Sequence, residues 1–543
     1  MRPTLAALGA ILVLASLAAA QDWPNYGGNA ARNGRSPTIG PQAAVLLWSN
    51  ADDYSIIAWH PFVEGERVFA VREAGFPTDG GAANDAILAY DLDTGVELWR
   101  VTLPWGGSTA TEWIAWIGGV QGGLLFASRG SHGKPGPLYA LDVADGGIVW
   151  TSMAVTQAWA HDGIVFAPDG DPIVGDFQSL TRIDAGDGST VWSVPRTCSV
   201  SGNCGGAATA TAVFYDEVAP GGQIIAKCDI ADGSLLYSSS VMAGFTAQNS
   251  PFLAADGGTA FFSRSQNNPP YDKLFAFQDT GAALVEIWNA PVRWTTSHEH
   301  GVGADGSIYT FNPGDELVRL DPATGAVTAN AGILSPLGSP NLSPKTAVDA
   351  LGTVYVSNGW ASSPASDGRL WAFTGDLSQD LYTLFLDRQN AGGPALGRRG
   401  TLVVADRAAV RAYRTDTAAA AAFRNAGGNP ASYAATPPVL ASTFSGTVDL
   451  GGTTGHALAW LVGFGTPLSL TLGGGQVLLV DVADPGGELL GLPAIAGPVA
   501  VANLLVPADY SLCGSALSTQ ALHFGGGSPF ALSNAQDLRV GSY

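Results

Sequence analysis

Histidine, tryptophan and carboxylate side chains fall together at a few places in this chain. They are Trp59 with His60, Trp113 with Trp116, Trp159 with His161 and Asp162, Asn249, and Trp294 with His298, Glu299 and His300. Counted back from the glycine turns that follow them, these residues stand at the entrances of short apolar strands, and four of the seven histidines are among them. Imidazole and carboxylate are Zn2+ ligands, and an indole face stacks on planar molecules. His298 and His300 alternate on one strand face, with Glu299 on the other. Three uses stay open: amphipathic side chains filling a wet channel, an organic-ligand site, or a metal site held by His298 and His300. No residue is assigned a catalytic role, since no carboxylate pair suited to acid/base work is identifiable.

The elements that position these groups repeat. A five-residue apolar-rich strand closing on an acidic or polar residue recurs eight times: ILAYD (87–91), LYALD (138–142), LTRID (180–184), IAKCD (225–229), LFAFQ (274–278), LVRLD (317–321), LWAFT (370–374) and VRAYR (410–414). Four residues after Asp91, Asp142, Asp184 and Asp229 stand Gly95, Gly146, Gly188 and Gly233, the glycines of a hairpin turn. Eight residues after the same anchors come Trp99, Trp150, Trp192 and Tyr237; Tyr382 stands eight after Thr374, Trp288 ten after Gln278, and Ala329 breaks the pattern. A period in the forties with several short strands per unit predicts the four-stranded blades of a β-propeller. The aromatic series, which Trp48 joins, is read as blade-to-blade packing. The last copy lacks an aromatic-ended strand, whereas Val45–Trp48 is an orphan strand ending in tryptophan. Pairing the two would close an eight-bladed ring and cover an open sheet edge.

The motif Ala89-Tyr90-Asp91-Leu92-Asp93-Thr94-Gly95 to Trp99 resembles the pyrroloquinoline-quinone-type (PQQ-like) propeller repeat, and the resemblance runs from about Asp22 to Thr415. The opening Asp22-Trp23-Pro24-Asn25-Tyr26-Gly27-Gly28-Asn29, followed by Arg32, Asn33 and Gly34, is similar to the start of exported members of that superfamily. The superfamily includes quinoprotein dehydrogenases, the propeller lipoprotein of the outer-membrane β-barrel assembly machinery, and many exported proteins of unassigned role. For a dehydrogenase the resemblance implies PQQ over Ca2+ with a catalytic carboxylate. This chain departs from those enzymes: it has no adjacent cysteine pair, no CxxCH and no transferable Glu/Asn/Asp set. Asp93, Asp169, Asp171 and Asp176 have the oxygens calcium requires, but they sit at turn positions common to the repeat. They are read as turn formers.

Composition narrows the partners. With 46 acidic and 25 basic residues the formal charge is −21, and only four residues are lysine, which argues against binding nucleic acid. Residues 1–20 read as a signal peptide with Arg2, an apolar run from Leu5 and Ala18-Ala19-Ala20 before the cut. No cysteine follows for a lipid anchor, and no later apolar run is long enough to span a membrane. The expectation is an exported monomer without a transmembrane anchor, extracellular, at the cell surface or periplasmic. Export permits disulfides, and Cys198 and Cys204 close a short loop suited to one. Cys228 aligns with core positions of the repeat and is read as a small core side chain.

After Thr415 the repeat stops. Residues 416–430, alanine-rich and then bearing Gly, Asn and Pro, read as a linker, and 431–543 as a small β-sandwich of short runs separated by Gly and Pro. Its end, Leu532-Ser-Asn-Ala-Gln-Asp-Leu538, is similar to a C-terminal module found on otherwise unrelated exported proteins. The reading is therefore a signal peptide (1–20), an all-β, eight-bladed PQQ-like propeller (21–415), a linker and a β-sandwich. The function expected first is a non-enzymatic binding or scaffold protein with a protein or glycan partner and no cofactor. A PQQ/Ca2+-dependent dehydrogenase of alcohols or sugars, and a glycan-binding or glycan-active protein, are the alternatives.

Overall fold

The computed structural model describes residues 23–541 apart from 52–59, 75–80, 106–113, 131–135, 157–163, 177, 198–204, 245–249, 265–271, 294–299, 338–343, 360–366, 387–391, 416, 441, 452–455, 492–494, 508–511 and 526–529. The described residues are strand and turn, with short 3-10 turns as their helical content. Between Phe62 and Leu386 the strands form seven successive antiparallel sheets, each a path of four strands in chain order. In the first these are Phe62–Glu64, Arg67–Arg72, Ala86–Asp91 and Glu97–Val101. A further sheet places Gly392–Gly397, Thr401–Ala405 and Ala409–Arg414 in order, with the N-terminal strand Val45–Ala51 at its far edge. The strand that looks orphaned in the sequence is thus the outer strand of that sheet. The architecture is an all-β propeller, and every copy of the repeat lies on the third strand of a sheet.

The core is a series of layers between consecutive sheets. Phe69, Ile87 and Trp99 of the first sheet pack with Ile117, Leu125 and Tyr139 of the second, and Phe126 and Trp150 of the second with Phe166 and Val174 of the third. The same scheme continues to the layer between the sixth and seventh. Each layer is made by two-faced strands, so apolar residues run almost unbroken along the inner strands.

The repeat signature has a physical basis at these seams. A bulge between third and fourth strands sets Trp99 opposite Ala89, Trp150 opposite Ala140 and Trp288 opposite Ala276. The indole N–H then reaches across to the carbonyl that follows the anchor of the next sheet: Trp99 to Val143 (2.9 Å), Trp150 to Ala185 (2.8 Å), Trp192 to Ile230 (2.9 Å) and Trp288 to Pro322 (2.8 Å). The anchor carboxylate folds the turn itself. Asp91 Oδ1 accepts from the backbone N–H groups of Asp93 and Thr94 and from the Thr94 hydroxyl. Turn glycine answers two demands at once. Gly188 has φ of 77°, and a Cβ there would lie 2.6 Å from the Trp150 ring.

Where the aromatic is missing, another replaces it. Ala329 faces Arg319 on the strand beside it, and across that strand Tyr309 faces the same residue. The Tyr309 hydroxyl donates to Gly375 O at 2.7 Å, the carbonyl that follows Thr374. At the fourth sheet Tyr237 donates instead to the Asp279 carboxylate, which also holds Lys227, both at 2.6 Å.

The chain divides into two compact units, the second of which holds 411–543 with the short stretches 39–50 and 399–402. Its C-terminal part contains a six-stranded sheet, a three-stranded sheet and a two-stranded ribbon. Tyr433, Phe444, Val448 and Ala502 from the three-stranded sheet pack with Ala459, Leu461, Ala521 and Leu538 from the six-stranded one. The reading of 416–430 as a linker is corrected here. Ala420–Arg424 is an edge strand paired with Ala531–Arg539, Arg424 grips both oxygens of Asp537, and the Asn429 amide bonds the backbone of Val477 and Ser533. Composition marks a break in the repeat but cannot register pairing with a strand more than a hundred residues away. In the terminal motif, Asn534 bonds the Tyr433 N–H and carbonyl, and Ser533 accepts from Ala521 N–H. The motif works as buried glue.

Candidate functional site

The inner strands of six of the seven sheets are tied together by the segment Trp23–Thr38. Its carbonyls accept, in order around the sheets, from backbone N–H groups that end the inner strands: Val63 to Trp23 O (3.1 Å), Val120 to Pro24 O (2.7 Å), Ala208 to Ala30 O (2.7 Å), Leu253 to Ala31 O (2.9 Å), Val302 to Asn33 O (2.8 Å) and Val348 to Gly34 O (2.7 Å). Trp23 N–H and Ser36 N–H return bonds to Val63 O and Val348 O. This strap is possible because of its glycines. Gly34 has φ of 67°, and a Cβ there would stand 2.6 Å from Thr346 O; a Cβ on Gly28 would strike the Trp23 ring. The sequence shows the motif but carries no signal for the strap, because the bonds are made by backbone.

Strap side chains pack against residues at the inner strands. Trp23 stacks on His60 with ring centroids 5.8 Å apart, and Tyr26 and Phe62 pack on the same imidazole. Lys345 Nζ sits 3.7 Å from the Tyr26 ring centroid, a cation–π contact. All five side chains are buried. Burial pushes His60 down to about 3 and holds Lys345 well below its usual range, because a charge there would lack water.

Of the residues read as a channel mouth, His60, Trp116 and His300 are described. His300 is buried against Phe252 at 4.8 Å, with its pKa lowered to about 3 by burial, and Trp116 donates its indole N–H to Gly130 O at 3.0 Å. All three are buried. They stand at the entrances of the inner strands that begin at Phe62, Trp116 and Gly301. Trp59, Trp113, Trp159, His161, Asp162, Asn249, Trp294, His298 and Glu299, and the Cys198–Cys204 pair, lie outside the described residues. Among the described residues no group of three or more metal-ligating side chains occurs. Asp169 and Asp171 both bind the Arg182 guanidinium, and Asp176 accepts from Gln178 and Ser179. Cys228 is fully buried, and burial raises its pKa to about 12.

A cleft of about 490 Å³ opens beside the strap where it passes the third sheet. Asn29, Arg35, Gln121, Phe166 and Thr209 line it with several alanines and prolines. It is of a size that holds small organic ligands, about 300–1,000 Å³.

Bulged sheets, Asp-to-Gly turns and indole seams together define a β-propeller of the PQQ-like repeat type, and this chain carries one. Residues 83–330 match the family model of the outer membrane protein assembly factor BamB. Among solved structures, quinohemoprotein alcohol dehydrogenase from Comamonas testosteroni is 12% identical, with a TM-score of 0.50 over 72% of this chain and 80% of that one. BamB from Moraxella catarrhalis is 14% identical, with a TM-score of 0.47 over 68% and 98%. At 12% identity the likeness to the dehydrogenase is one of fold. No curated protein matches the chain.

Proposed function

We propose that this is an exported, non-enzymatic binding or scaffold protein acting at or outside the cell surface, without a quinone cofactor. Its propeller has eight blades, the last completed by Val45–Ala51, and is followed by a β-sandwich that begins by Ala420. The observation that supports the functional reading is a buried cluster beside the inner strands, in which Trp23, Tyr26, His60, Phe62 and Lys345 pack on one another. Two buried carboxylates are likewise committed, Asp216 to Arg196 and Gln223, and Asp85 to Arg129 and the N–H groups of Ala74 and Ala115. Such groups position structure and leave little for a cation or a substrate proton. Ring closure is supported at Gly397 of the last sheet, where a Cβ would lie 2.9 Å from a Val63 methyl of the first.

The matched family's description as an outer membrane assembly factor supports export and a protein partner. No helix among the described residues is long and apolar enough to cross a membrane. The test is titration of the mature protein with pyrroloquinoline quinone, with and without Ca2+, followed by tryptophan fluorescence and dye reduction with alcohols and sugars. No saturable quenching is expected. Ca2+-dependent saturable quenching with dye reduction would replace this reading by a dehydrogenase.

A further inference from the structure

The strap leaves one inner strand without its bond, and the cleft lies at that place. Phe166 occupies in the third sheet the position of Leu253, Val302 and Val348 in theirs. In each case the next residue donates back across the inner turn: Ala167 to Asp171 O, Ala254 to Thr259 O, Gly303 to Ser307 O and Asp349 to Thr353 O. Leu253, Val302 and Val348 each donate N–H to a strap carbonyl; the Phe166 N–H donates to none, in the interval between the strap's contacts at Pro24 and Ala30. What faces the gap is polar and uncommitted. Neither the Arg35 guanidinium nor the Gln121 amide has a partner among the described residues, and Asn29 Oδ1 is buried without one while its Nδ2 is held by Asn33 Oδ1 and Arg35 O. The other walls are small and apolar, including Ala30, Ala167, Ala210 and Pro168.

The geometry points to a binding site for a short, extended, small-residue peptide ending in a free carboxylate. Its carbonyl takes the Phe166 N–H as the missing link of the strap, and the carboxylate pairs with Arg35, a charge-assisted contact suited to guanidinium. Alanine and proline walls admit methyl-sized side chains and exclude larger ones. This assignment rests on the binding-protein reading and names its ligand chemistry, which a free peptide or the C-terminal tail of a protein can supply.

The experiment is calorimetric titration of the mature protein with N-acetyl-Ala-Ala-Ala as the free acid, as its C-terminal amide, and as the tail of a carrier protein. The acid is expected to bind at least about tenfold more tightly than the amide, and Arg35→Gln, which removes no bond used by the fold, to abolish that preference. Gln121→Leu should weaken both forms by a smaller factor. Binding of the tailed carrier identifies tail capture, and binding of the tripeptide alone identifies a free-peptide site. Equal binding of acid and amide, no heat at millimolar tripeptide, or a preference that survives Arg35→Gln overturns the proposal. The quinone titration on the same preparation separates this failure from failure of the binding-protein reading, which quinone binding alone would unseat.

Discussion

The outer and inner rims of this propeller are joined by different means. At the outer rim one side-chain contact is repeated: an indole N–H from one sheet meets the carbonyl after the anchor of the next, over a glycine with positive φ. At the inner rim a single segment, Trp23–Thr38, makes a different backbone bond at each sheet it meets. A contact made by side chains and repeated from sheet to sheet must write itself into the sequence as a period. One made by backbone, once, need not. The outer seams are therefore redundant and replaceable, as Tyr309 shows, while the strap has no second copy among the described residues.

That difference can be broken most directly by removing the strap. Deleting 23–38 from the mature protein costs six inner-strand hydrogen bonds at about 1 kcal/mol net each and a buried Trp23 at roughly 3–5 kcal/mol. The sum is comparable to a whole domain's stability of about 5–15 kcal/mol. Loss of cooperative unfolding, followed by circular dichroism in urea, is the expected outcome. A deletion protein that unfolds at the normal midpoint would mean that the outer seams alone hold the ring.

The seam glycines sharpen the comparison within the outer rim. Gly188 and Gly281 have φ of 77° and 80°, but a Cβ on Gly188 meets the Trp150 ring at 2.6 Å, whereas one on Gly281 meets open space. Gly281→Ala should therefore cost only the left-handed penalty of about 1–2 kcal/mol. Gly188→Ala adds overpacking of roughly 1–3 kcal/mol. Urea midpoints of the two variants measure the gap, and equal costs would remove the tryptophan from the account of the turn.

The same contrast explains what could be read from the sequence. Eight anchors, their glycines and their aromatics gave the third strands and the outer seam directly, and Trp48 without a partner pointed to the far edge of the last sheet. The strap was visible as a motif but had no readable role, since Pro24, Ala30, Ala31 and Gly34 act through carbonyls that every residue possesses. Spacing placed His60 and His300 at strand entrances but left three uses open; the structure adds that both are buried, between Trp23 and Tyr26 or on Phe252. Counting from a glycine turn locates a strand but not its depth. Tyr309 was missed because it stands on the second strand, outside the register in which the aromatic was sought.

Acid exposes the inner packing. Both histidines have pKa values lowered to about 3 by burial, so the folded state refuses protons that the unfolded chain accepts below its ordinary pKa of about 6.5. Their contribution is complete above pH 6.5 and declines as pH falls toward 3, by about 1.4 kcal/mol per pH unit for each histidine. At pH 5 that is roughly 2 kcal/mol each. Asp85 acts oppositely: burial pushes it up to about 6, so its contribution is present at low pH and is lost as pH rises through 6. His300→Gln should flatten the loss of stability between pH 6.5 and 5, and Asp85→Asn should steepen it. Urea midpoints that stay parallel to the parent's across that range would place both groups in contact with water.

The smallest expected effect tests whether a seam is defined by its residue or by its hydrogen bond. Tyr309→Phe keeps the ring and removes only the hydroxyl that reaches Gly375 O. Burial raises the Tyr309 pKa to about 12, so the donor is present throughout the neutral range and its loss is independent of pH there. The expected cost is about 1 kcal/mol, the net worth of one buried hydrogen bond. Combining Tyr309→Phe with Ala329→Trp supplies an indole at the register the other sheets use. Recovery of the parent urea midpoint in that double variant means that the carbonyl after the anchor is the fixed point of the seam and the strand that serves it is interchangeable. No recovery means that the sixth sheet has repacked around Tyr309 and can no longer accept the repeat's own tryptophan.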